Sequence, residues 1–146
     1  MRQLIIVRKD LNMSPGKLAA QVAHASWAFL SNQIRVKGEK LILNDEYIVP
    51  LLIDKDVYEQ WFCNIFTKTI CEAKNKNQLL KAKEIAEKLG MIEDKDFFLI
   101  KDACNTELTP EEIDENGSGR TLTCIGFKPL DDETAWKISK KFQLYK

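Results

Sequence analysis

Three polar side chains that could take part in chemistry are spaced to share one face of a helix. Lys17, Gln21 and His24 stand at positions i, i+4 and i+7, and residues at this spacing lie along one side of an α-helix. Ser14 and Pro15 precede them and are typical of an N-cap and a first helical residue. The free N–H groups of a helix start, with a lysine ammonium beside them, favour a phosphate or a developing oxyanion.

Each of these side chains also has an interpretation in which it is purely structural or solvent-exposed and takes no part in a reaction. Lys17 can be a solvated lysine at a helix start, Gln21 a surface helix former, and His24 a packed or capping histidine. The Gly-Lys pair that ends at Lys17 is not a nucleotide P-loop. That motif requires glycine where Leu11 stands and a hydroxyl where Leu18 stands. The interpretation of Lys17 therefore depends on what lies opposite it.

A second group of chemically useful residues follows an apolar strand later in the chain. Residues 97–100 are Phe-Phe-Leu-Ile, and Asp102 and Thr106 come shortly after them. Open α/β sheets bind their ligands at the carboxyl ends of strands. A carboxylate, an ammonium and a hydroxyl would then converge at one edge of the sheet, which predicts a functional site there.

The elements that must position these groups are those of an α/β protein. Short apolar, β-branched runs predict strands at Gln3–Val7, Thr67–Ala73, Phe97–Ile100 and Thr121–Phe127. Helices are predicted from Pro15 to about Ser31, from an N-cap at Asn77 to Gly90, and after Asp131 or Asp132. No repeat or linker interrupts this order, so we expect residues 1–146 to form one domain.

Two connecting segments have weaker patterns. Between residues 34 and 64, short apolar runs at 41–43 and 47–52 precede a short helical pattern. Between Thr106 and Gly119 the chain is polar and acidic and contains an Asn-Gly-Ser-Gly run, which indicates a loop. We expect this acidic segment to be irregular and mobile.

Composition limits the classes of function. Lys plus Arg and Asp plus Glu both total 22, and a net charge of zero disfavours wholesale binding of nucleic acid while allowing a local basic patch. One histidine and four scattered cysteines predict no metal site and no disulfide framework. The N-terminal apolar run is too short for a signal peptide or a membrane span. These features predict a cytoplasmic protein.

Several short motifs, taken in order, match one known pattern. They are Arg8–Met13 (RKDLNM), Gly16–Gln21 (GKLAAQ), His24-Ala25, residues 67–91, Asp102-Ala103 with Thr106, Thr121 with Ile125-Gly126, and Leu144-Tyr145. In residue type, order and spacing they resemble the type II peptidyl-tRNA hydrolases. The chain departs from that family at Cys104 and Asn105, where glycine and arginine are usual, and in the acidic stretch at 107–115, which should repel phosphate.

The resemblance implies a fold and an activity. The fold would be a three-layer α/β sandwich with a four-stranded mixed β-sheet flanked by helices, in a protein that is often a homodimer and needs no cofactor. The activity would be hydrolysis of the ester bond of peptidyl-tRNA, which releases peptide and free tRNA. Two alternatives remain open: a non-catalytic RNA- or protein-binding regulatory member of the same fold, and a hydrolase of a smaller ester or amide.

The resemblance also implies roles for individual residues. Lys17 would hold the oxyanion, Asp102 would orient water or Lys17, and Thr106 would hydrogen-bond substrate or water. The remaining matched positions would bind substrate, and they are Arg8, Gln21, His24 and Thr121. For Gln21 and His24 the alternative is to brace the site. No metal is implied.

Overall fold

A computed structural model describes residues 1–36 and 41–146, which form a mixed β-sheet with helices on both faces. The strands are β1 (Gln3–Arg8), β2 (Leu41–Leu43), β3 (Glu46–Ile48), β4 (Lys68–Ala73), β5 (Phe97–Asp102), β6 (Glu112–Ile113), β7 (Gly119–Phe127) and β8 (Gln143–Leu144). The helices are α1 (Pro15–Arg35), α2 (Lys55–Val57, continued by a π-helical turn at Tyr58–Phe62), α3 (Lys76–Lys88) and α4 (Asp132–Ser139). The predicted α/β class is confirmed.

The main sheet is built around β1. The strand order is β5-β7-β1-β4-β8, with β6 paired to β7. Strand β1 is parallel to β4 and antiparallel to β7, and β5 is antiparallel to β7. Within the described residues the sheet therefore has six strands, where four were predicted. The two additional strands, β6 and β8, are two residues long, which is too short for an alternating pattern to be visible in the sequence.

Alternate residues of β1 pack against opposite helical layers. Leu4 and Ile6 belong to a buried cluster that includes residues of α3 and α4, whereas Ile5 and Val7 pack with Ala25 of α1. Because side chains alternate along a strand, a strand covered on both faces is apolar throughout. The expected three-layer arrangement is confirmed.

Helix α1 lies in direct backbone contact with the sheet. A Cβ atom added to Gly126 of β7 would lie 2.4 Å from the carbonyl oxygen of Ala25. Only glycine leaves room for this approach, because every other residue would push the helix outward. The height of α1 above the sheet is therefore set by main-chain atoms at this point.

The ends of two helices refine the predicted boundaries. Ser14 caps α1 as predicted, and its hydroxyl accepts a hydrogen bond from the backbone N–H of Lys17 at 3.3 Å. The cap of α3 is Asn75 and not Asn77, because the Asn75 side chain accepts from the N–H of Gln78 at 2.9 Å. Gly90 ends that helix region with a positive φ of 83°, the conformation that favours glycine.

The segment after α1 divides into an exposed part and a buried part. Strands β2 and β3 form a separate two-stranded hairpin whose residues are exposed. The following turn buries Val57 and Trp61 against Phe29 and Phe98. The short helical pattern predicted here is confirmed, whereas the apolar runs form a hairpin outside the core. No helix in the described ranges has the length and apolarity required to cross a membrane.

Candidate active site

The start of α1 and the end of β5 bring an ammonium, a carboxylate and a hydroxyl together. Lys17 Nζ donates to Asp102 Oδ1 at 2.7 Å and to Thr106 Oγ1 at 3.2 Å. The Lys17 and Asp102 side chains are only 13% and 10% exposed. An ion pair with so little solvent around it exerts a stronger field than one at the open surface.

The Asp102 carboxylate is fixed by further donors. Gln21 Nε2 donates to Oδ1 at 3.1 Å, and the backbone N–H of Cys104 donates to Oδ2 at 2.9 Å. Gln21 is itself buried and accepts a hydrogen bond from Thr123 Oγ1 at 2.7 Å. Burial alone would raise the pKa of Asp102, but the bonds from Lys17, Cys104 and Gln21 outweigh it and lower that pKa. Asp102 is therefore ionised at neutral pH.

The turn after Asp102 has a left-handed residue. Cys104 has φ 58°, a conformation that glycine adopts at least cost. In this conformation its N–H points to the Asp102 carboxylate, and its Sγ lies 3.4 Å from Thr121 Oγ1. The turn that directs this N–H to the Asp102 carboxylate therefore forms with cysteine at position 104, although its conformation favours glycine.

Arg8 and Thr121 lie below the surface of the site. Arg8 is 3% exposed, with Nη1 donating to Glu111 Oε2 at 2.7 Å and Nη2 to Asp10 Oδ2 at 2.8 Å. The bond to Glu111 is the main cause that raises the pKa of Arg8. Thr121 is fully buried, and its hydroxyl donates to the Thr109 carbonyl at 2.7 Å. Both side chains are thus buried and hydrogen-bonded within the protein, and their predicted part in binding substrate stays a prediction.

The acidic segment, residues 106–119, is hydrogen-bonded to the body of the protein. Its strand β6 pairs with β7, so the expectation of an irregular loop is wrong for this part. Four of its carboxylates have defined partners: Glu107 with Ser14, Glu111 with Arg8, Glu112 with Lys101, and Asp114 with Arg120. The principal hydrogen bond in each of these pairs lowers the pKa of the carboxylate. Most of the negative charge of this segment is therefore compensated locally.

Glu107 occupies the helix start that the sequence predicts as an anion site. The N–H and the hydroxyl of Ser14 donate to its two carboxylate oxygens at 2.9 and 2.5 Å. Thr106 contacts Lys17, so two consecutive residues are tied to the first turn of α1. Glu107 was not predicted as a site residue, although its position directly after Thr106 was the available signal.

His24 lies away from the Lys17–Asp102 pair, farther along α1. It lines a cleft of about 450 Å³ together with Trp27, Arg35, Lys101 and Arg120. Gln21 joins the predicted catalytic group through Asp102, whereas His24 belongs to this neighbouring cleft. Among residues 1–36 and 41–146, no three His, Cys, Asp or Glu side chains are arranged to hold a metal ion.

Comparison with known proteins gives one consistent result. The family model described as "Peptidyl-tRNA hydrolase PTH2" matches residues 1–145. A peptidyl-tRNA hydrolase from Methanopyrus kandleri is 34% identical over 138 residues, covering 94% of this chain and 92% of the relative. One from Thermoplasma acidophilum is 28% identical over 143 residues, covering 98% and 97%. One from Thermococcus onnurineus is 29% identical over 143 residues, covering 98% and 96%.

Proposed function

The chain belongs to the peptidyl-tRNA hydrolase PTH2 family, and from this premise we propose that Lys17, Asp102 and Thr106 carry out its reaction. The protein is an ester hydrolase that cleaves peptidyl-tRNA into peptide and free tRNA. The observation that supports the assignment of residues is the contact of Lys17 Nζ with both Asp102 and Thr106. Lys17 comes from the first turn of α1, Asp102 is the last residue of β5, and Thr106 lies in the loop that follows β5.

Lys17 stabilises the charge that develops on the substrate. Water attacks the ester carbonyl carbon, the carbonyl oxygen becomes an oxyanion, and the bond to the ribose oxygen then breaks. An ammonium already held by Asp102 and Thr106 does not have to reorganise when this charge forms. One of its three N–H groups remains for the oxyanion. We assign the largest share of catalysis to this electrostatic contribution.

Asp102 orients both Lys17 and the attacking water. A carboxylate whose pKa is lowered is a weak base at neutral pH, because an efficient general base has a pKa near the working pH. Its fixed geometry suits it better to holding the ammonium and directing the water. The proton lost by the water in the overall reaction ends on the ribose oxygen of the leaving tRNA.

Thr106 and Gln21 complete the arrangement from opposite sides. Thr106 accepts from Lys17, so its own O–H is directed to water or substrate. Gln21 holds Asp102, with its amide orientation fixed by Thr123. Arg8 and Thr121 act indirectly by holding the acidic segment in place. The alternative of a non-catalytic binding protein has no comparable observation, because the three chemical groups are assembled and two of them, Lys17 and Asp102, are nearly enclosed.

Hydrolysis of an N-acetylated aminoacyl-tRNA by purified protein tests this proposal. We expect Lys17→Ala and Asp102→Asn each to reduce kcat by about 100-fold or more, as does removal of one oxyanion donor in other hydrolases. Lys81→Ala, an exposed substitution on α3, is the matched control and should leave kcat unchanged. Full activity in both site variants would contradict the assignment, and tRNA binding without turnover by the unaltered protein would favour the non-catalytic alternative.

Three broader features are proposals of the same kind. We infer a homodimer, as the resemblance implies, a cytoplasmic location, where translation supplies the substrate, and a single domain over residues 1–146. Light scattering that gives twice the mass of the 16.8 kDa chain would support the dimer, and the mass of one chain would contradict it.

A further inference from the structure

A groove continues from the catalytic group along the same face of α1. The helical face that carries Lys17, Gln21 and His24 continues through Ala28 and Ser31 to Arg35, always at helical spacing. At 1.5 Å per residue this face is about 27 Å long. The opposite wall is the end of β5, where Leu99, Ile100 and Lys101 lead directly to Asp102. The groove therefore ends next to the Lys17–Asp102 pair, because His24 lies one turn beyond Gln21 on α1 and Lys101 precedes Asp102 on β5.

The groove presents an exposed aromatic face. Trp27 is 54% exposed and lies about one helical turn beyond His24, on the lining of the same cleft. By contrast, Trp61 is 1% exposed and packs in the core. A large aromatic ring that remains in solvent on the wall of a cleft is suited to stacking with a planar ligand group.

The charged side chains of the groove offer hydrogen-bond donors rather than hydrogen-bond acceptors. Arg120 uses only Nε for Asp114 among the described residues, and Lys101 uses one of its N–H groups for Glu112. Asp114 is the acidic residue of the cleft lining, and both of its oxygens already accept bonds, from Arg120 and from two backbone N–H groups. Arg35 adds a third cation at the far end. This surface fits a ligand with phosphates and planar bases.

We propose that this groove, lined by His24, Trp27, Arg35, Lys101 and Arg120, binds the single-stranded 3′ end of the tRNA, with a base stacked on Trp27. The inference rests on the proposed function, because the ester must reach Lys17 when the nucleotides occupy the groove. The distribution of charge on the two sides of the catalytic group agrees with placing the nucleotides in the groove. Glu107 places a carboxylate at the opposite end, beside the start of α1, where a phosphate would be repelled.

A peptide is a less suitable occupant of the groove. Peptides of varied sequence are recognised through their backbone, which requires both donors and acceptors from the protein. The charged side chains here supply donors, and Asp114 in the lining already accepts three hydrogen bonds. The terminal nucleotides, in contrast, are the same in every peptidyl-tRNA. A groove that serves all substrates alike is best matched to the RNA.

Steady-state kinetics with N-acetylated aminoacyl-tRNA tests the stacking. We expect Trp27→Ala to raise KM about 10-fold with kcat changed less than about twofold, because one stacked base contributes binding and not chemistry. Trp27→Phe should restore most of the affinity. The matched control is Trp136→Ala, which removes another exposed tryptophan on α4, away from the groove. An unchanged KM in an active Trp27→Ala enzyme would overturn the inference and leave the proposed function intact.

Measurements of direct binding distinguish an error in the assignment of the groove from an error in the proposed function. The probes are uncharged tRNA, the same tRNA without its last three nucleotides, and a free blocked peptide. We expect the unaltered protein to bind the truncated tRNA about 10-fold more weakly than the complete tRNA. In Trp27→Ala this difference should be smaller, because the stacked base no longer contributes to it. Arg35→Gln should reduce the slope of affinity against salt by about one. Loss of peptide binding but not of tRNA binding in Trp27→Ala would identify a peptide subsite and overturn the proposal.

Discussion

In two connecting segments of this protein, the polarity of the residues does not match the way in which the segment is attached to the body of the protein. The acidic segment at 106–119 is polar, yet it is joined to the body by a β-strand and by ion pairs. The hairpin formed by β2 and β3 is apolar, yet its side chains are exposed and, among the residues that the structure describes, its strands pair only with each other. Composition alone would have predicted a detached loop for the first segment and a place in the core for the second.

The difference arises from the partners available to each segment. Arg8 is buried beside the acidic segment and requires carboxylates, since an unpaired buried charge is costly. Both faces of the main sheet next to β1 are already covered by helices, so they offer no apolar surface to the hairpin. A segment is therefore positioned by the unsatisfied groups that it meets and not by its own polarity.

The strongest test of this contrast is Glu111→Gln. We expect it to lower the free energy of unfolding by about 2 kcal/mol, because the nearly buried Arg8 loses one of its two charged partners. This figure lies below the cost of breaking a fully buried pair, since Glu111 is a third exposed and Asp10 remains. The matched change in the hairpin, Glu46→Gln, should cost less than about 0.5 kcal/mol. Urea unfolding of the three proteins provides the comparison.

The pH dependence provides an independent check on Glu111. Its pKa is lowered in the folded protein, chiefly by the hydrogen bond from Arg8. A lowered carboxyl pKa contributes stability above the unfolded pKa, and that contribution is lost as the pH falls through the folded value. The stability difference between the unaltered protein and Glu111→Gln should therefore narrow below about pH 4.5. A difference that stays constant down to pH 3 would contradict the role of this ion pair.

A smaller effect is expected from Glu107→Gln, which alters the contact of the acidic segment with α1. An amide offers one acceptor where the carboxylate offers two, so either the N–H or the hydroxyl of Ser14 loses its partner. We expect kcat to fall about 5-fold with little change in stability, because Thr106 is held less firmly against Lys17. Glu115→Gln in the same segment is the control. Equal kcat in the two variants would show that Glu107 does not position Thr106.

The smallest effect is expected in the hairpin. Replacing Ile42 and Leu43 together with serine should change the free energy of unfolding by less than about 0.5 kcal/mol, because these side chains are 62% and 55% exposed. We expect kcat to be unchanged. A loss above about 1 kcal/mol would show that the hairpin is covered in solution, for example by a second chain, and the contrast between the two segments would no longer hold.

Much of the fold was predictable because its signals are local. Strand β1 and helix α1 follow from an apolar run and from a Ser-Pro start, both of which depend on neighbouring residues only. The cap of α3 was placed two residues late because Asn75 and Asn77 are both capable of capping. Strands β6 and β8 were missed because each exists only through its pairing with a distant strand.

The site was predictable to a lesser extent. The meeting of Lys17 with Asp102 follows from a helix start and a strand end at one edge of the sheet, and the structure places them in contact. The ion pair of Arg8 with Glu111 and the contact of Glu107 with Ser14 were not predicted. A sequence gives the charge of a carboxylate but not the direction in which the chain turns it. Tertiary pairing decides whether an acidic segment repels a substrate or supports the site.

The contact between Gly126 and Ala25 has a consequence for how this protein tolerates mutation. Any side chain at position 126 would force the backbone of α1 away from β7 at Ala25. Lys17 projects from the same helix, so such a displacement would alter its distance from Asp102. The geometry of the candidate site therefore depends on a hydrogen atom at a position that contacts none of its residues.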